Sequence, residues 1–407
     1  MVAGQKQFYN VFVGAETGIL KGVSINPKEN HTKNFHRLKS LRKENEITSL
    51  NWVSDGEILF GTRDQRVSGF DPTDNSFTHG RKAEDDSDTP IIGLGRLPEE
   101  TLVTAYQSGT VKIWRSKPQI FNALDKQVIL SSTSGRKRKR KILGNEDIDS
   151  EIANKVIANL KTGKDLRCMK LEGHLLATGG QEHDLHITDF GSGSDVIFRA
   201  KNVPLDMLQL RVPIWISDLA FLEPSVISTV SRHSHIRLYD IRAQRRPVVS
   251  FGYPNVEPLT CMSRISDKEY QILVGTAQGG LAQYDLKMGL KGMVQKYKGS
   301  VGSVRSIYYG NGHFASVGLD RFLRIYSLGT RSKHARIYLK SRLNHVVLRK
   351  GFDPDFEETV ESSSKSIKEN EGDDNDDDIE ILEDDDEEMM WSNMDTIREP
   401  SKKQKNK

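Results

Sequence analysis

The sequence predicts an all-β fold: a seven-bladed β-propeller followed by a disordered, charged C-terminal tail. Three observations carry that reading. A strand–turn–strand design recurs seven times, mostly at intervals in the forties. A short alternating apolar segment lies ahead of six of the seven copies. Beyond Lys350 the apolar alternation stops and charged residues take over. Alternation broken by Gly, Asp and Asn marks half-buried strands joined by tight turns.

In chain order the copies begin with NVFVGAETGILKGVSINP (10–27), EILFGTRDQRVSGFDP (57–72), TLVTAYQSGTVKIWRS (101–116) and HLLATGGQEHDLHITD (174–189). They continue with SVISTVSRHSHIRLYD (225–240), QILVGTAQGGLAQYDL (271–286) and HFASVGLDRFLRIYSL (313–328). The second strands end near Ile25, Phe70, Trp114, Thr188, Tyr239, Tyr284 and Tyr326, at spacings of 45, 44, 74, 51, 45 and 42 residues. A period in the low to mid forties with two central strands per unit resembles a WD-repeat propeller blade. The signature is worn. Only Trp114 supplies the tryptophan, and Arg115 follows it where Asp is usual. Tyr239-Asp240, Tyr284-Asp285 and Phe70-Asp71 are looser versions, and a turn aspartate remains at Asp64 and Asp320.

The strand ahead of each unit reads EITSLNWV, TPIIGLGRL, DLRCMKLEG, WISDLAFLE, PLTCMSRIS and VGSVRSIYY. Cys168 and Cys261 hold the same place in two of these, each followed by Met, as small buried packers on an innermost strand. The first unit has no such strand before it. The alternating RLNHVVLRK, Arg342 to Lys350, is suited to supply it, so that chain end pairs with chain start. Closure of that kind removes the exposed edges of an open β array. The propeller then spans residues 1–350 and the tail 351–407.

The 74-residue spacing holds about one blade plus thirty residues, an insertion over about 116–164. It contains SGRKRKRKIL, with six consecutive cations: Arg136, Lys137, Arg138, Lys139, Arg140 and Lys141. Either KVIANLKTG (155–163) is the outer strand of that blade and the run sits in a loop before it, or FNALDKQVIL is the outer strand and 131–164 lies between blades. Both place the run on an exposed excursion. It serves as a grip on phosphates or as an import address; charge alone does not choose between them.

Net charge is +3, but Glu371 to Glu388 carries 13 acidic side chains and no basic ones, which leaves the remainder at +16. A body that basic favours polyanionic partners. The tail has too little apolar sequence to offset ordering entropy. Within it Met389, Met390, Trp391, Met394 and Ile397 form an apolar cluster suited to a partner-binding motif. The final SKKQKNK offers Lys402, Lys403, Lys405 and Lys407 as a nuclear-import signal.

No apolar leader and no run of 18 apolar residues is present, so neither secretion nor a membrane span is expected. Two cysteines outside any CxxC pair fit a reducing compartment. The short glycine pairs at 93–95 and 191–194 open no βα unit, and TGK (162–164) lacks the upstream glycine of a phosphate loop. His183 with His186, and His233 with His235, have no third ligand cluster beside them. The expectation is a non-enzyme with no cofactor, metal or small-molecule substrate. The candidate contact residues are instead basic and aromatic. Arg63, Arg232 and Arg321 fall in tight turns ringing one mouth of the channel. Trp215, with Arg211 nearby, precedes an inner strand on the same face. Arg245 and Arg246 follow a third strand, on the opposite side. Arg and Trp in surface loops are frequent contact-makers, though arginine stems also cover ordinary propeller rims.

The blade order, KNVPLDMLQLRVPIWISDLAF (201–221), HIRLYDIRAQRRPV (235–248), GLDRFLRIYSL (318–328) and the charged tail together resemble one family. It is the WD-repeat family of large-subunit ribosome assembly, which includes fungal Nop-seven-associated protein one and animal WD-repeat protein seventy-four. The resemblance covers roughly residues 5 to 350 and implies a nucleolar, non-catalytic scaffold on pre-ribosomal particles. It implies pre-ribosomal RNA and other assembly factors, including Brix-domain proteins, as partners, and release by an AAA-type ATPase. The alternative from another class is an adaptor of a chromatin or ubiquitin-ligase complex that reads a peptide at the channel mouth.

Overall fold

The structure, a computed structural model, describes residues 8–26, 30–35, 42–54, 56–83, 85, 87–98, 101–114, 156–193, 195–205, 207–253 and 256–354. These residues form seven four-stranded antiparallel sheets. Six blades use strands in sequence order: inner, second, third and outer. Their inner strands are Ile47–Ser54, Ile91–Arg96, Leu166–Glu172, Ile216–Glu223, Leu259–Arg264 and Val304–Gly310, in blades two to seven. Blade one differs. Its inner strand is Leu343–Leu348, which pairs antiparallel with Val11–Ala15, so the ring closes by joining chain end to chain start. Neighbouring inner strands touch all the way round, including Leu343–Leu348 against Ile47–Ser54. No helix among the described residues is long and apolar enough to cross a membrane.

Burial explains the strand patterns. The second strands Val11–Ala15, Leu102–Tyr106 and Val226–Ser231 are buried along their whole length, because a blade stands on either face. The outer strand Val156–Lys161 alternates between half-buried and exposed, because only one face is covered. It pairs with Thr110–Trp114 and is therefore the outer strand of blade three. The competing segment FNALDKQVIL and the run Arg136 to Lys141 lie outside the described residues, as do Lys402, Lys403, Lys405 and Lys407.

The core is divided into one cluster per blade interface. Phe12, Ile47, Phe60 and Phe70 pack between blades one and two, and Val11, Val13, Val317 and Ile325 between blades one and seven. Leu259, Val274 and Tyr284 meet Val230 and Ile236 between blades five and six. Stability thus belongs to interfaces and not to single blades. Two glycines set the spacing. A Cβ at Gly14 would lie 2.7 Å from Ile47 Cγ2, and one at Gly275 would lie 2.7 Å from Cys261 Sγ. Cys168 and Cys261 are both buried on inner strands, and burial pushes both thiols up, Cys261 to about 12.

Candidate interaction surface

One face is defined by a backbone contact repeated in every blade. The first N–H of the turn after each second strand donates to the carbonyl just ahead of the inner strand. Arg63 donates to Glu46, Gln107 to Pro90, Gln181 to Asp165, and Arg232 to Trp215, at 2.9 to 3.1 Å. Ala277 to Pro258, Leu319 to Ser303 and Glu16 to Arg342 complete the set at 2.8 to 3.1 Å. Arg63, Arg232 and Trp215 therefore share one rim. Arg321 joins them two residues further into its own turn.

Along this rim the junction of blades seven and one is basic. A groove of about 450 Å3 is lined by Arg42, Lys43, Arg321, Lys340 and Arg342, with one carboxylate, Glu16. Glu16 lies 3.6 Å from Arg342, so the groove keeps a cationic excess. Its field reaches Lys21: burial first, then the Lys340 charge, push that ammonium down, and its Nζ donates to the Leu339 carbonyl. Arg321 and Lys340 both adopt left-handed backbone, at φ 69° and 64°. In blades one, three and six the residue at the turn position of Arg321 is Gly18, Gly109 and Gly279, also at positive φ. An arginine there costs roughly 1 kcal/mol that glycine would not. Asp320 holds the same turn from beneath. It accepts hydrogen bonds from the Val301 and Phe322 amides and pairs with the buried Arg324 guanidinium.

The junction of blades four and five is different. The Trp215 ring is half-buried, with the Arg232 guanidinium 5.0 Å from its centroid and the His233 ring 6.1 Å away. Trp215 forms an isolated bridge with Gln181, and Glu182 pairs with Arg211 at 2.9 Å. The segment running up to Trp215 is pinned near its start, where Asn202 Nδ2 donates to the Val212 carbonyl at 2.6 Å. Between those points Leu205, Met207, Leu208 and Leu210 are 57 to 96% exposed. Four large apolar side chains beside a cation-capped tryptophan form an apolar patch with a basic edge.

Arg245 and Arg246 lie elsewhere, on the connection between the third and outer strands of blade five (His235–Asp240 and Val249–Gly252). Arg245 Nε donates to the Arg199 carbonyl at 2.7 Å, so its head group ties blade five to blade four. Arg246 is exposed. Arg63 points to the channel, where it lies 3.3 Å from Glu46. The His183 and His186 rings pack edge to face at 4.5 Å. Burial, then the neighbouring His186 charge, push His183 down to about 4. Sequence reasoning missed Arg42, Lys43, Lys340 and Arg342. The available signal was the closing strand: once 342–350 pairs with blade one, its flanking cations must face the turn of Glu16.

Seven four-stranded blades, closed by terminal strands and carrying degenerate Trp-Asp positions, define a WD-repeat β-propeller. Comparison with known proteins narrows the class. The chain belongs to the WD repeat-containing protein 74 family. It is 32% identical to the human protein of that name over 392 residues, covering 93% of this chain and 92% of the relative. The bovine protein is 31% identical over the same shares. It is also similar to the ribosome biogenesis protein NSA1 of Vanderwaltozyma polyspora, 32% identical over 44% of this chain and 47% of that protein. No protein-family model matches the chain.

Proposed function

We propose that this chain is a non-catalytic assembly factor of the large ribosomal subunit, acting in the nucleolus. It docks on pre-ribosomal RNA and on other assembly factors, Brix-domain proteins among them, and is released by an AAA-type ATPase. The observation that carries the reading is the rim. A five-cation groove and an apolar patch around Trp215 lie on one face, the composition needed to hold RNA and protein together. Similarity to a protein named for ribosome biogenesis supplies the setting. Propellers present such surfaces on a rigid ring, so the docking groups are held in place before binding.

The test is sedimentation of the tagged protein from cell extract. Co-migration with large precursor particles, lost on RNase treatment, is the expected outcome. Migration with chromatin or a ubiquitin ligase, insensitive to RNase, replaces the reading with a peptide-reading adaptor. The double variant Trp215→Ala, Arg232→Glu should leave the particles while keeping a native circular dichroism spectrum. The run Arg136 to Lys141 changed to Ser should lower the log–log salt slope of RNA binding by about 0.7 to 0.9 for each phosphate no longer neutralised. An unchanged slope makes that run an import address only.

A further inference from the structure

The inner strands line a central channel, and every one of them slips by one residue near its start. The register with the second strand shifts between Ile47 and Ser49, between Leu166 and Cys168, between Leu259 and Cys261, and between Val304 and Ser306. Blades one, three and five show the same shift, at Asn344, Ile92 and Ser217. A bulge of this kind re-aims the extra side chain. All seven bulged residues line a cavity of about 530 Å3.

Three bulged residues have a structural task. Thr48 donates to the Ile91 carbonyl, Thr260 to the Val304 carbonyl at 2.6 Å, and Asn344 to the Ile47 carbonyl at 3.0 Å. In each case the acceptor is the residue just before the next blade's own bulge. The position is thus an inter-blade clamp. In blades four and seven it is occupied by Arg167 and Arg305. Neither makes the clamp, and neither head group has an ion-pair or hydrogen-bond partner among the described residues. Blades four and seven stand three steps apart, the largest separation a seven-membered ring allows. The two guanidinium groups therefore approach the channel from opposite sides.

A third cation, Lys170, stands three residues beyond Arg167 on the same inner strand. Lys170 lines the same cavity, where its charge favours the ionised form of Asp218. Burial dominates the titration of Cys168, Asp218, Cys261 and His345, on four different blades; the Lys170 charge opposes burial at the first three and adds to it at His345. The carboxylates lining the cavity are already used. Glu46 accepts from Arg63 at 3.3 Å and Asn344 at 3.0 Å, while Asp218 accepts the Leu219 and Met262 amides, both at 2.9 Å. Arg167, Lys170 and Arg305 are all exposed. Three like charges in one walled cavity repel each other and focus a positive field.

We infer that the channel is a binding site for a compact polyphosphate, gripped between Arg167 and Arg305 with Lys170 as a third contact. Guanidinium forks match phosphate oxygens two at a time. Two forks on opposite walls select a ligand with phosphates on opposite sides, such as a phosphorylated ring, over a single phosphate. The inference goes beyond the docking function and does not rest on it.

The test uses the purified full-length chain at 150 mM salt, with inositol hexakisphosphate and tripolyphosphate as probes in titration calorimetry and thermal melts. One-to-one saturable binding and a raised melting temperature are expected. Arg167→Ser with Arg305→Ser should weaken binding at least tenfold, yet melt no lower than the parent without ligand, because repulsion is relieved. Lys296→Ser, on the outer strand of blade six, should bind as the parent does. Absence of saturable binding, equal binding by the double variant, or tighter binding of a hexaglutamate peptide than of either probe overturns the inference. These readings need no particle, so their failure is separate from failure to sediment with precursors.

Discussion

The seven–one and four–five junctions sit on the same rim, are built from equivalent turns, and solve different problems. At seven–one, permanent cations stand over a buried Asp320–Arg324 pair, and two of them, Arg321 and Lys340, occupy left-handed backbone. At four–five, a guanidinium-capped aromatic ring follows a connection of exposed aliphatic side chains. The same blade geometry therefore presents a cationic surface at one junction and an apolar one at the other. What differs is only the handful of turn and connection residues that the scaffold leaves free.

The largest way to break the seven–one side is from below. Asp320→Ala strands the buried Arg324 guanidinium and should cost about 3–5 kcal/mol in urea unfolding. The conservative Asp320→Asn should lose less. At four–five the equivalent test is binding and not stability. Trp215→Ala with Met207→Ser should weaken particle association tenfold or more, a loss of about 1.4 kcal/mol or greater, with an unchanged unfolding midpoint. An altered midpoint would make Trp215 a core residue instead.

Acid should act elsewhere, where blades three and four meet at His183 and His186. Folded His183 resists protonation down to about 4, whereas in the unfolded chain it takes a proton near its ordinary 6.5. Between those values the unfolded state binds more protons, so stability falls as pH drops from 6.5 to 4. Urea midpoints across that window should shift down, on the order of 2 kcal/mol for this group. His183→Gln should flatten the slope. The smallest effect is the sharpest. Arg321→Gly should raise stability by up to about 1 kcal/mol through relief of the left-handed backbone. It should at the same time weaken RNA binding. A gain in stability with full RNA affinity would leave the strained arginine without a purpose.

The strands, the closure and the rim turns were legible because alternation and turn chemistry are local. Trp215, Arg232 and Arg321 could be placed on one face from their position in the repeat. The groove could not, since Arg42, Lys340 and Arg342 come from segments nearly three hundred positions apart in number and meet only once the ring closes. Arg167 and Arg305 were hidden for another reason. A one-residue bulge leaves the apolar pattern of DLRCMKLEG and VGSVRSIYY looking like ordinary strand. The burial of Arg324 was hidden as well, because nothing in FLRIYS shows that it pairs with Asp320 four positions earlier.

The pairing of Leu343–Leu348 with Val11–Ala15 also fixes a timetable. A ribosome adds about 5–20 residues each second, so more than 300 residues take roughly 15–65 s to make. Throughout that interval the first strand out of the exit tunnel has its partner still unmade. Its inner edge stays unpaired until then, and the last residues of the propeller act as the latch that ends the wait.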